Sequence, residues 1–296
     1  MTRLPVVCLA VAVAGSACAV KIDSGGYVEH DEKRFAAETT MNLRLSTFDG
    51  AIEVRGWDKP EIVVLIEKRA QDKASVSKIQ VNIEQKDDSI QIEAHNPDKR
   101  GVFVGFGSFT SPSAKLIVNA PRKTNLVLRT DDGSLLVERV TGRIELRTGD
   151  GGIRTIETDG DLLAETRDGT IQLDEVAGRI EARTDDGSLR ITGMPVVIRA
   201  RTDDGSVVLR IRRGTTMAED WMVTTGDGSI SAELPDSLNA DIEADPGSDG
   251  RARSDLTLVG LTGGTREQRL LRGRLGQGGH RFLLRTGDGT IRLTPY

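Results

Sequence analysis

The chain has 296 residues, room for one large β domain or two ordinary domains, and its 37% apolar content supports a core. Only 3% of residues are aromatic and 33 are glycine, which is unlike a mixed α/β enzyme and favours short, turn-rich strands. Acidic residues outnumber basic ones by 45 to 40, so no excess of positive charge supports nucleic-acid binding.

In chain order, residues 1–19 read as a signal peptide. Arg3 precedes a short apolar stretch from Leu4 to Gly15, and Ala17-Cys18-Ala19 supplies small residues before Val20. The stretch is too short to span a bilayer. Cleavage after Ala19 releases a soluble exported chain, whereas cleavage before Cys18 leaves a lipid-anchored one, and both outcomes stay open. Ser16 and Ala17 suit a lipidated cysteine, while Gly15 stands where such signals usually carry Leu. Cys18 is therefore the lipidation candidate; its bland alternative is removal with the signal. Cys8 is the only other cysteine, so the mature chain has no disulfide despite an oxidising compartment.

Residues 20–39 are polar, contain Ser24-Gly25-Gly26 and read as a tether. Residues 40–296 read as a single domain with irregular N-terminal coils and a cap over 40–120, regular coils over 121–234 and closing coils over 235–296. In the first part Ile62-Val63-Val64-Leu65-Ile66, Ile79 to Ile83 and Ile90 to Glu93 are expected strands, and a short helix fits Lys68 to Ser77. The run from Gly101 to Phe109 holds three of the six phenylalanines. It reads as a flap over a solenoid end in preference to a binding loop, because exposed aromatic patches are uncommon without a partner.

A repeat dominates the middle of the chain. Thr-x-Asp-Gly begins at Thr130, Thr148, Thr166, Thr184 and Thr202, an even step of 18 residues, and recurs at Thr47, Thr225 and Thr286. A small residue and an aliphatic one follow each glycine, as in Gly169-Thr170-Ile171, and a second glycine turn falls at Gly142, Gly160 and Gly178. Side chains two apart on a strand share a face. The inward register therefore takes Leu135, Val137, Ile144, Leu146 and Thr148, then Ile153, Thr155, Leu162, Ala164 and Thr166, and so on in columns. The expected fold is all-β, a parallel β-solenoid of 18-residue two-strand coils with irregular capping strands at its ends. The threonines are expected to satisfy turn amides and one another.

Three stretches carry a family resemblance: Leu43 to Val54 with Gly56-Trp57-Asp58, the lead-in Val118 to Pro121, and Leu271 to Gly279 with Leu283 to Leu293. In this order, with the repeats between them, they resemble the putative adhesin family of bacterial β-strand-repeat proteins, a domain of unknown function. The resemblance implies an exported or envelope-associated β-solenoid and brings no active site with it.

The most suggestive chemical feature is the column Asp132, Asp150, Asp168, Asp186 and Asp204, reinforced by Asp131, Asp185 and Asp203. Unit charges ~4.8 Å apart repel by roughly 1 kcal/mol in water. Three things relieve such a ladder: turn amides bound by the carboxylates, cations such as Arg167, Arg183 and Arg201, or a metal ion. Asp-Gly is a favoured turn pair, so the first is the expectation. A calcium-binding β-roll would place glycines differently, and a polysaccharide-active enzyme would need two acids in unlike environments. His30, His95 and His280 are scattered, and no nucleophile elbow or phosphate loop occurs. The reading is thus a non-catalytic exported envelope protein, adhesive, scaffolding or ligand-sensing, with no cofactor and an envelope or surface ligand of unknown identity. The alternatives are the polysaccharide enzyme and the calcium roll.

Overall fold

The computed structural model describes residues 19–23, 26–38, 40–97, 111–264 and 269–296. Most of the expected signal peptide, with Cys18, and the Gly101 to Phe109 run lie outside them.

The N-terminal strands are β1 (Ala19–Asp23), β2 (Gly26–Ala36), β3 (Met41–Thr47), β4 (Ile52–Trp57), β5 (Glu61–Ala70), β6 (Gln80–Lys86), β7 (Ser89–His95), β8 (Ser113–Pro121) and β9 (Thr124–Thr130). The middle of the chain forms β10 (Leu135–Glu138), β11 (Thr141–Thr148), β12 (Ile153–Ile156), β13 (Asp159–Glu165), β14 (Ile171–Arg183), β15 (Leu189–Thr202) and β16 (Val207–Ile211). β17 (Trp221–Thr225), β18 (Ile230–Leu234), β19 (Ala240–Asp245), β20 (Arg251–Ser254), β21 (Val259–Thr262), β22 (Leu271–Leu275), β23 (Arg281–Thr286) and β24 (Thr290–Pro295) complete the chain. The single helix among the described residues, α1 (Lys73–Val76), is one turn long, capped by Asp72, whose carboxylate accepts the Ser75 amide at 2.8 Å.

Period-two patterning places these strands. β8 alternates between half-buried and buried along its whole length, and β9, β10 and β12 follow the same rule. The strands form two hydrogen-bonded ladders. One runs β1–β2–β5–β8–β4–β10–β12–β14–β15–β16–β18–β24–β20. The other runs β6–β7–β3–β9–β11–β13–β14–β15–β17–β23–β19–β22–β21. β14 and β15 are long enough to serve both. Inward residues of the two ladders, such as Val137 and Ile144, meet in one continuous apolar core.

This is not the parallel β-solenoid of two-strand coils that the repeat predicts. In a solenoid, each coil neighbours the next in sequence. Here β3 and β4 lie between β7 and β8 on one side and β9 and β10 on the other. At the opposite end β23 and β24 are inserted between β17 and β18 and the later partners β19 and β20. Among the described residues six strand pairings are antiparallel: β1–β2, β2–β5, β5–β8, β6–β7, β19–β22 and β21–β22. The result is an all-β fold with a mixed parallel and antiparallel sheet. Local alternation fixes which face of a strand is buried but not which strand lies beside it or in which direction it runs.

Within the middle of the sheet the parallel register does advance by the repeat length, with Leu135 opposite Ile153, Ile153 opposite Ile171, and Ile171 opposite Leu189. Residues 20–39, expected as a tether, contain β2, which pairs with β5 from Tyr27 to Ala36. Polar composition misleads there because only Val28 on β2 is fully buried, the strand being an outer member of its ladder.

Candidate functional site

The Thr-x-Asp-Gly turns line up along the sheet and form its most regular surface. All eight threonines are buried, from Thr47 to Thr286. The Thr148 hydroxyl donates to the Gly133 carbonyl at 2.8 Å and accepts the Gly151 amide at 3.3 Å. The same two bonds recur at Thr166, Thr184 and Thr225, with carbonyl acceptors on Gly151, Gly169 and Gly205. Among the described residues these hydroxyls bind main-chain groups of their own and the adjacent turn, Thr184 and Thr202 reaching the Arg167 and Asp185 carbonyls as well, and not one another.

The glycines of these turns are required by close approach. A Cβ on Gly151 would stand 1.8 Å from the Gly133 carbonyl oxygen, and one on Gly187 would stand 1.9 Å from that of Gly169. Neither residue has a left-handed φ, unlike Gly160 in the second turn at φ 121°.

The column Asp132, Asp150, Asp168, Asp186 and Asp204 lies exposed on this edge. Threonine hydroxyls take the turn-glycine amides, and within the column Asp150 and Asp168 share one cation, Arg167. Arg167 donates to Asp150 at 2.5 Å and reaches Asp168 at 3.6 Å, and Arg201 pairs with Asp203 at 2.9 Å. The hydrogen bond from Arg167 to Asp150, with the charge of that carboxylate, holds the guanidinium pKa above its ordinary value. Among the described residues no group of three or more His, Cys, Asp or Glu side chains is placed to hold a metal ion. The histidines stay apart: His30 faces Glu67, His95 faces Gln80 and His280 faces Asp220.

The outward faces carry ion pairs along much of their length. Glu145 accepts from Arg129 at 3.0 Å and Arg147 at 2.9 Å, and Arg147 continues to Glu165 at 2.5 Å. A second feature, which sequence pattern does not single out, is the arginine group Arg251, Arg253 and Arg292 on β20 and β24. The alternation Arg251-Ala252-Arg253 is visible in the sequence, but its partner Arg292 is joined to it only by strand pairing.

A family model matches residues 42–294, nearly the whole of the two ladders. The chain belongs to the Toastrack DUF4097 family. Its mixed, stacked sheets are of the Toastrack type, and the expectation of a β-strand family without an assigned function holds. No curated protein matches the chain. Solved structures similar to this Toastrack chain include three of bacterial origin. A putative adhesin from Bacteroides fragilis has 13% identity and a TM-score of 0.41 over 89% of this chain and 96% of its own. A putative lipid binding protein from Parabacteroides distasonis has 15% identity and a TM-score of 0.42 over 91% and 97%. A putative cell adhesion protein from Clostridium sporogenes has 14% identity and a TM-score of 0.27 over 90% and 100%. At these scores the likenesses carry no argument about ligands.

Proposed function

We propose that this Toastrack chain is a non-catalytic, envelope-located display scaffold that binds a ligand through its outer surface. The observation that supports this reading is the division of labour along the strands. Inward positions fill a long continuous core with a small second cluster at Phe48, Ile79, Ala94 and Ala114, and outward positions recur at the strand spacing of about 4.8 Å as columns of charged side chains. Ligand contacts are then made by repeated surface columns. The acids of the Asp132 to Asp204 column occupy equivalent exposed turns, and no one of them is set apart as acid or base.

Export is part of the proposal: cleavage after Ala19 removes residues 1–19, or cleavage before Cys18 removes residues 1–17 and leaves Cys18 as the lipid-attachment residue. Mass spectrometry of the envelope fraction is expected to find a chain beginning at Val20 or at a lipid-modified Cys18. An unprocessed chain retaining Met1 in the cytoplasm would remove the compartment from the reading. For display itself, the purified mature chain is expected to co-sediment with envelope material from cells lacking it. A chain that remains in the supernatant, together with unaltered surface attachment of the deletion strain, contradicts the scaffold.

A further inference from the structure

The outward face of the β4-to-β18 ladder is charge-paired along much of its length. Lys115 and Arg55 contact Glu53, Arg154 contacts Asp174, and Arg210 contacts Glu233. Its last two strands depart from this pattern. β20 and β24 pair in parallel with Arg253 opposite Arg292 and Arg251 opposite Thr290, while Ala252 and Ile291 between them are buried. Strand alternation therefore sets all three arginines on the outward face. Asp255 reaches Arg292 at 3.2 Å, but among the described residues Arg251 and Arg253 have no ion pair. Together with Asp255 and Thr290, the three arginines line a surface cleft of about 350 Å³.

Like charges directly opposite one another on neighbouring strands destabilise the pair. A bound anion reverses that sign. Guanidinium forks match the paired oxygens of a carboxylate or phosphate, and the Thr290 hydroxyl and Asp255 carboxylate beside them suit the hydroxyls of a sugar ring. We infer that this cleft binds a sugar bearing a negatively charged group, carboxylate or phosphate. The inference goes beyond the display reading and does not depend on it, since the cleft is built from two strands at one end of the ladder.

The competing explanation is that β20, which among the described residues pairs with β24 alone, uses arginine to repel incoming strands, as edge strands commonly use charge. Calorimetric titration of the purified mature chain at low salt separates the two. The probes are trigalacturonic acid for the carboxylate, glucose 6-phosphate for the phosphate and maltotriose as the neutral control. At least one charged sugar is expected to bind and maltotriose is not. The double substitution Arg251→Gln, Arg253→Gln is expected to weaken binding by roughly tenfold or more, the loss of charge-assisted hydrogen bonds. Arg190→Gln, an outward arginine on β15, is expected to leave affinity unchanged. Should the double variant not fold, Arg253→Gln alone is compared at matched melting temperature. Equal binding of the neutral sugar, unchanged affinity in the variants, or self-association of the variants without any sugar binding by the parent overturns the inference.

Discussion

The Thr148 hydroxyl donates to the carbonyl oxygen of Gly133, 15 residues earlier, at 2.8 Å. That oxygen is also the atom that a side chain at Gly151 would strike. One carbonyl thus fixes two letters of the repeat, the threonine by hydrogen bonding and the glycine by exclusion. The neighbouring turns can approach only when both are present.

Adjacent glycines in one turn make the glycine argument testable. Gly151→Ala places a methyl 1.8 Å from the Gly133 oxygen, whereas at Gly152 the nearest atom, the Thr170 oxygen, is 3.5 Å away and φ is not left-handed. Gly151→Ala is expected to destabilise by about 1–3 kcal/mol or more, because backbone must move. Gly152→Ala is expected to be neutral or to stabilise by up to about 1 kcal/mol, through the less flexible unfolded chain. Chemical denaturation of the two variants measures the difference, and equal losses would refute the close-approach account.

Two buried threonines are expected to respond oppositely to valine. Thr148→Val removes the acceptor of the Gly151 amide and the donor to Gly133, so a cost of about 1–3 kcal/mol is expected. Thr155 is fully buried with Val137 and Leu173 as its register partners, and its hydroxyl has no hydrogen-bond partner. Thr155→Val therefore relieves an unsatisfied group, and a gain of about 1 kcal/mol is expected. Thermal melts of both variants check the signs.

The aspartate column is expected to show little response to calcium. An ion bound to the native state would raise the melting temperature as its concentration passed the dissociation constant. Scans with calcium and with chelator are expected to superimpose, and Asp168→Asn to melt close to the parent. A large saturable rise that the variant weakens would establish a cation site on the turn edge.

Glu145 gives a pH dependence of defined sign. The hydrogen bond from Arg129 is the largest influence on its carboxyl and, with Arg147, outweighs desolvation to hold the pKa below the ordinary glutamate value. A folded-state pKa below the unfolded one adds stability above the unfolded value, and that stability is lost as pH falls through the folded value. The effect is small, since Arg129 and Arg147 are 60% and 44% exposed. Glu145→Gln is expected to melt slightly below the parent at neutral pH, with the gap closing in acid. A gap that widens in acid contradicts the assignment.

Alternation in the sequence was sufficient to assign Leu135, Val137, Ile144 and Leu146 to the core, and the even spacing of the threonines placed them at equivalent turns. Both are local properties, set by the pleat and by turn chemistry. The sequence also carried the acidic column, though not its local contacts: Arg167 bridges Asp150 and Asp168, and threonine hydroxyls take the turn-glycine amides. Only the tertiary structure decided that β3 and β4 sit between later strands, that β23 and β24 enter ahead of β19 and β20, and that the ends pair antiparallel. Neighbour choice is a contest between distant segments with similar alternation, so no local pattern selects the winner. The same pairing brings Arg253 beside Arg292, 39 residues later in the chain. Composition shows two ordinary surface arginines, and strand register makes them one cationic cleft.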